Sequence, residues 1–273
     1  MKRRMFFAGV AALSLFAFGC GSDSADTPPV ETPVDPQSVD QTKVTLEVVT
    51  FDLAPGTDEA TVRADDLKVE EFIQRQPGFL RRVTGFGRHE ALGPEDMEKR
   101  QFFLTVFWET LEEANAAAVA LMNSPLGMTQ RPGLTLEHYG HYVIGDSVAA
   151  GGYKIPLDAI LGGAGQAIEL VSWEVADGVS AADVVTQDVT MDKAFLRSQP
   201  GYVARIGAMG KNELTQSTAH LAFVYWESID DAMNAATALF QAQSMMNPPP
   251  KDYKKPNTPF VYSHFFDKLT VAK

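Results

Sequence analysis

The sequence predicts an α+β fold built from two tandem β-α-β-β-α-β units, and three observations predict it. The chain repeats itself, since Val44 to Glu90 has a counterpart in Gln166 to Glu213, and internal repetition on this scale marks duplicated structure. Within each repeat, stretches of two-residue alternation are interrupted by stretches of helical spacing. Proline and glycine punctuate the boundaries, most visibly in Gln76-Pro77-Gly78-Phe79 and its counterpart Gln199-Pro200-Gly201-Tyr202.

Taken in order, Val44 to Leu53 alternates as a strand. From about Glu59 to Arg75, Val62, Leu67 and Phe72 recur at helical spacing, and the Pro-Gly pair stops that helix. Two strands are expected next, about Phe79 to His89 and Phe102 to Glu109. In the second of them Phe102, Leu104, Val106 and Trp108 fall on one face and Phe103, Thr105 and Phe107 on the other, so neither face suits water. Leu111 to Met122 is a helix, rich in alanine, with Glu112 and Glu113 in the first turn where the helix dipole favours negative charge. A last strand runs from about Leu134 to Ile144. In the second repeat Val224-Tyr225-Trp226-Glu227 answers Val106-Phe107-Trp108-Glu109, Arg205 answers Arg82, and the closing aromatic strand aligns His264 with His141.

This is the ferredoxin-like order, in which two helices cover one face of a four-stranded sheet and leave the other face bare. Two linked copies are therefore expected to pack sheet to sheet within one chain. Residues 44–146 form one domain, 166–273 the other, and the Gly/Ala-rich stretch 147–165 the linker, giving a monomeric soluble body.

The 273 residues carry 35 acids against 23 Lys and Arg, a net charge of -12 that repels nucleic acid. The single cysteine excludes a disulfide scaffold. Lys2, Arg3 and Arg4 precede an apolar run from Met5 to Phe18 that closes on Gly19-Cys20, the charge and length pattern of a secretory signal over residues 1–19. With Gly19 before the only cysteine and Gly21-Ser22 after it, the segment resembles a bacterial lipoprotein signal, although Ala17-Phe18 depart from the usual Leu and small residue. The resemblance implies cleavage before Cys20, lipidation of Cys20, and a membrane-anchored position in the cell envelope, periplasm-facing or on the outer surface. Residues 20–43 then read as a disordered tether: from Gly21 onward they hold four prolines, five acids, one lysine and no aromatic residue, too little apolar area to offset the entropy of folding.

The Gln-Pro-Gly-Phe/Tyr helix stop, and the Val-x-Trp-Glu-Thr/Ser strand end that enters an acidic, alanine-rich helix, resemble the antibiotic-biosynthesis-monooxygenase-like branch of the dimeric α/β-barrel superfamily. The resemblance covers nearly everything after residue 43 and implies an intramolecular dimeric α/β barrel. For function it implies only a range, because that fold hosts oxygenases, haem-degrading enzymes, isomerases and proteins without known activity. The haem-degrading members carry an Asn on the first strand, a Trp on the second helix and a ligating His beyond it. Here the first strands lack Asn, Ala117 and Ala235 hold the helical Trp positions, and no His falls between Leu111 and Arg131 or between Ile229 and Thr258. Haem degradation is disfavoured, and no cofactor is expected. Cofactor-independent oxygenation of polyphenols needs only a base, a hydrogen-bonding group and a dry aromatic pocket.

Each candidate side chain has a plain alternative. Trp108 and Trp226, with Phe51 and Trp173 on the first strands, are core aromatics or the walls of a ligand pocket. His141 and His264 face one cavity across a pseudo-twofold or make buried polar contacts. His138 and His141, three apart on a strand, point to opposite faces, which argues against a shared metal. His89 answers Asn212 and His220 answers Phe102, so a site survives differently in the two copies. Glu47 and Glu169 share a strand face with Phe51 and Trp173, where each is either a base of raised pKa or a solvent-facing edge residue. Arg82 and Arg205 are expected in surface ion pairs. No phosphate loop, dinucleotide fingerprint, zinc spacing or nucleophile elbow is present. Two functions fit: a binding module for a small apolar or aromatic molecule or a protein partner, and a cofactor-free monooxygenase acting on a quinol or polyphenol-like substrate.

Overall fold

The computed structural model describes residues 39–89, 99–127, 133–145, 167–245, 252–256 and 260–272. The signal segment, Cys20, the tether as far as residue 38 and the linker 147–165 lie outside them. The first half comprises β1 (Thr45–Leu53), α1 (Glu59–Ile73), β2 (Phe79–His89), β3 (Arg100–Trp108), α2 (Leu111–Met122) and β4 (Leu134–Val143). The second comprises β5 (Ala167–Glu174), α3 (Ala181–Ala194), a 3-10 turn (Leu196–Ser198), β6 (Tyr202–Asn212), β7 (Ser217–Trp226), α4 (Ile229–Met245) and β8 (Phe260–Ala272). Helix α1 stops two residues before the expected Arg75 because its last bonds tighten to three-residue spacing, Arg75 N–H to Phe72 O at 3.3 Å and Gln76 N–H to Ile73 O at 3.0 Å.

All eight strands belong to one closed antiparallel barrel in the order β1-β3-β2-β8-β5-β7-β6-β4. The halves meet along two seams. One pairs β2 with β8, from Arg81 opposite Ala272 to His89 opposite Ser263, and the other pairs β4 with β6, from Gly140 opposite Asn212 to Val143 opposite Met209. The sheets therefore face each other as opposite walls of one barrel, joined at their edges, and not as two free layers. Closure satisfies backbone groups that an open edge strand would leave unpaired. The described residues form one compact unit.

The apolar faces turned away from the helices fill the interior. Val44, Leu46 and Phe107 from the first half join Ile168, Leu170 and Tyr225 from the second in a single core, where Phe103 stacks on Phe265 with ring centroids 4.3 Å apart. Each fully buried aromatic or branched side chain contributes about 1.5–3 kcal/mol. The other face of β3, Phe102, Leu104, Val106 and Trp108, packs beneath α1 and α2. In the second half the corresponding layer is divided into one cluster around Trp226 and another around Val184 and Met209.

Candidate functional site

The polar side chains under the helices come in matched sets. The Trp108 indole N–H donates to Glu47 Oε2 at 3.0 Å, and Trp226 donates to Glu169 Oε2 at 2.9 Å. Opposite Glu47 on β4 stands His141, and opposite Glu169 on β8 stands His264. Both carboxylates are buried, which corrects the solvent-facing alternative. Burial pushes the Glu47 carboxyl above its ordinary value, against the opposing pull of His141, the Trp108 N–H and Arg82. The tryptophans do not come together across the barrel: each lies in the helix-to-sheet layer of its own half. The reason is register, since Trp108 and Trp226 share a strand face with Val106 and Val224, turned from the interior.

Arg82 and Arg205 are likewise buried, not the surface ion pairs expected. Arg82 reaches from β2 to α1, binding Asp66 at 2.5 Å and Glu70 at 3.1 Å. Arg205 grips Asp188 of α3 through both terminal nitrogens. Asp192, one turn after Asp188 and fully buried, accepts instead from Arg197 at 2.5 Å and from the Tyr202 hydroxyl at 3.1 Å.

The halves differ most in chemistry at one further position. In the first half Phe51 and Phe102 sit opposite each other and stack at 6.4 Å. In the second half the same register position is occupied by Trp173 and His220, whose rings are 4.2 Å apart. His220 is fully buried; its Nε2 lies 3.4 Å from Asp188 Oδ1 without the alignment of a hydrogen bond, and its Nδ1 has no hydrogen-bond partner among the described residues. Burial alone would raise the Asp188 pKa, but Arg205 and His220 outweigh it and hold the carboxyl well below its ordinary value. Asp188 was not singled out from the sequence, although its place one turn before Asp192, matching Asp66 and Glu70, was a signal for it.

The remaining histidines separate. His138 faces the barrel interior, where its Nε2 is 2.9 Å from the Tyr142 hydroxyl, which is 3.1 Å from Ser172 Oγ across the barrel. His141 faces the other way, with Nδ1 3.5 Å from Glu213 of the opposite half. His89 and His264 lie on β2 and β8, opposite Ser263 and Glu169; their side chains are outside the described structure. Among the described residues no group of three or more His, Cys, Asp or Glu is placed to hold a metal. Ala117 and Ala235 are buried in the layers beneath α2 and α4.

An opening is found elsewhere, at the end of the first-half layer. A cleft of about 400 Å³ lies between the β1–α1 turn and the start of β4, lined by Ala54 to Asp58, Thr61, Val62, Asp65, Gly133 and Leu134. Val62 belongs to the apolar layer, and Leu134 packs on it beside Phe51 and Leu53. The cleft thus has an apolar floor and an acidic rim. None of its residues was read as a site residue from the sequence, because the turn and helix start that form one side are remote in the chain from the strand start that forms the other.

No family model matches the chain, and no curated protein matches it. Several solved structures are similar to it. An anthrone oxidase-like protein is similar over 84% of this chain and 93% of its own, with 11% identity and a TM-score of 0.47. A Fusobacterium nucleatum protein provisionally named a monooxygenase is similar over 85% of this chain and 99% of its own, at 10% identity and a TM-score of 0.47. A chlorite dismutase variant of Candidatus Nitrospira defluvii is similar over 81% and 90%, at 13% identity and a TM-score of 0.44.

Proposed function

We propose that this is a cell-envelope lipoprotein, anchored through Cys20, whose tandem halves form within one chain the equivalent of a dimeric α/β barrel and bind a small aromatic molecule at the first-half cleft. The observation that carries the binding reading is the cleft itself: an opening of about 400 Å³ floored by Val62 and Leu134, at the edge of a layer rich in aromatic rings. Small-molecule sites are concave, largely apolar and supplied with a few polar groups, and this is the composition here. The interior of the barrel is filled by side chains with no exposure, Phe103, Phe223 and Phe265 among them, so the ligand is assigned to the outer layer. Titration of the purified protein with p-cresol, followed by amide NMR, should give saturable shifts at Thr57 to Val62 and at Gly133. A Thr61→Trp variant, which fills the cleft from α1, should abolish them. Undiminished binding by that variant would remove the reading.

A second reading, cofactor-free oxygenation of a quinol-like compound, is favoured by the Trp173–His220 pair. A buried imidazole with an unpartnered nitrogen costs about 1–3 kcal/mol, and Phe102 shows that the fold works without it. His220, oriented by Asp188, would take a phenolic or activated C–H proton beside the Trp173 ring; the substrate supplies the electrons, retains one atom of O₂ and releases the other as water. Monooxygenase and anthrone oxidase-like are names borne by two of the similar structures. His220→Phe should then abolish oxygen uptake with a quinol while leaving stability equal or higher. Uptake at the wild-type rate would exclude His220 as the base.

A further inference from the structure

We infer that Tyr142 and Ser172 are positioning residues for His220: a one-way chain of hydrogen bonds crosses the barrel interior from His138 through both hydroxyls and ends on the His220 carbonyl. The inference rests on the second reading, in which His220 is the base. Its links are His138 Nε2 to the Tyr142 hydroxyl at 2.9 Å, that hydroxyl to Ser172 Oγ at 3.1 Å, and Ser172 Oγ to the His220 carbonyl at 3.1 Å.

Counting hydrogens gives the chain its direction. A carbonyl oxygen only accepts, so the single proton of the Ser172 hydroxyl goes to His220. The Tyr142 hydroxyl then donates to Ser172 Oγ, and its contact with His138 is made by an imidazole N–H donating to the phenol oxygen. Burial lowers the His138 pKa to about 4, so the ring is neutral at pH 7 and carries one N–H. The count places that proton on Nε2.

Comparison of the halves shows that the chain is an addition to the fold. Register places Val261 where the first half has His138, Phe265 where it has Tyr142, and Phe102 where the second half has His220. These three exchanges of apolar for polar side chains lie on one connected path. The fourth member, Ser172, answers Thr50, which keeps the hydroxyl without the path: Thr50 Oγ1 is buried and has no hydrogen-bond partner among the described residues. Room for the crossing is made at Gly140, where a Cβ would come within 2.8 Å of the Tyr142 ring. Pairing with β5 and β6 holds β7 in the plane of the sheet. The Ser172 bond holds it from the barrel side, while the His220 ring meets Trp173 on the other face, with centroids 4.2 Å apart.

Long-range proton–nitrogen NMR of the purified protein should show His138 protonated on Nε2 and bare on Nδ1; the opposite tautomer would overturn the direction of the chain and the inference with it. Ser172→Ala should shift the His220 imidazole and Trp173 indole resonances. It should also lower kcat for quinol-dependent oxygen uptake by about threefold to tenfold, the range of one neutral hydrogen bond, with KM unchanged. Ser172→Thr, which restores the hydroxyl in the form the first half uses, should recover both. Tyr142→Phe removes the donor that polarises Ser172 and should move the same resonances by a smaller amount. If His220→Phe abolishes uptake while Ser172→Ala leaves uptake and resonances unchanged, the inference falls and the second reading stands. Undiminished uptake by His220→Phe, or none by the wild type, would remove the second reading and the positioning role together.

Discussion

His138 is a neutral histidine enclosed in the barrel, and its burial lowers its pKa from 6.5 to about 4. The unfolded chain takes up this proton near pH 6.5 and the folded chain only near 4. Between those values the unfolded state binds more protons, so stability falls as pH drops through the window, by roughly 3 kcal/mol when the window has been crossed. His138→Gln preserves an amide partner for the Tyr142 hydroxyl and takes up no proton. Urea denaturation at pH 7, 5.5 and 4.5 should show a shallower loss for the variant than for the wild type, and parallel losses would mean that His138 is not the group responsible. Glu47 acts in the opposite sense, since a carboxyl raised above 4.5 by burial contributes its stability below that pH and loses it as pH rises through the folded value. At this scale the sequence was most informative about aromatic positions and least about ionic ones. Phe102, Val106 and Trp108 could be placed on one face from alternation alone, whereas Arg82 read as a surface charge because its acidic partners, Asp66 and Glu70, lie on a helix that folds back over it.

Between elements, the recurring Gln-Pro-Gly-Phe/Tyr segment has a definite task. Gly78 and Gly201 have φ of +71° and +72°, and their carbonyls accept from Glu109 and Glu227 N–H at 2.8 and 2.7 Å. Each glycine lies directly against the acid in the first turn of the next helix, so that a Cβ at Gly201 would fall within 2.5 Å of the Asp231 side chain. The same acid's N–H is capped by Ser228 at 3.2 Å. The turn that ends one helix is thereby fitted to the start of the other. Gly201→Ala should cost about 1–2 kcal/mol for the left-handed backbone and more for displacing Asp231. Gly178→Ala, with φ +81° and open space around it, should cost the backbone part alone. Thermal denaturation compares the two, and an equal loss would show that the Asp231 contact carries no weight. The motif was legible as punctuation, but its partner was not, because the acid it meets lies some thirty residues further along the chain.

At the scale of the whole molecule, the first half alone would expose the apolar wall of the barrel and two strand edges, those of β2 and β4. Exposed apolar surface costs about 25 cal/mol per Å², and the unpaired β4 edge recruits other chains. Purified residues 44–146 should therefore dimerise or aggregate in sedimentation experiments, while the intact body sediments as a monomer; a well-behaved monomeric half at high concentration would contradict the closed arrangement. The need for a partner face was legible in β3, which is apolar on both sides. The seams were not, because which edge meets which is decided by the turn geometry and curvature of the whole sheet. The cleft was hidden for a related reason: its two sides, the β1–α1 turn and the start of β4, are brought together only when β4 pairs with β1.

The position of β8 between β2 and β5 also sets an order in time. The β4–β6 seam needs only residues up to 212, but β2 waits for residues 260–272 before its outer edge is paired. A chain emerging from synthesis or export carries that edge unpaired across some 170 intervening residues, and contacts between such distant segments form slowly. The waiting strand is Phe-Leu-Arg-Arg-Val-Thr-Gly-Phe-Gly-Arg-His. Its three arginines and two glycines make it a poor template for a stranger's strand, so the segment left open longest during assembly is also one that resists being closed by the wrong chain.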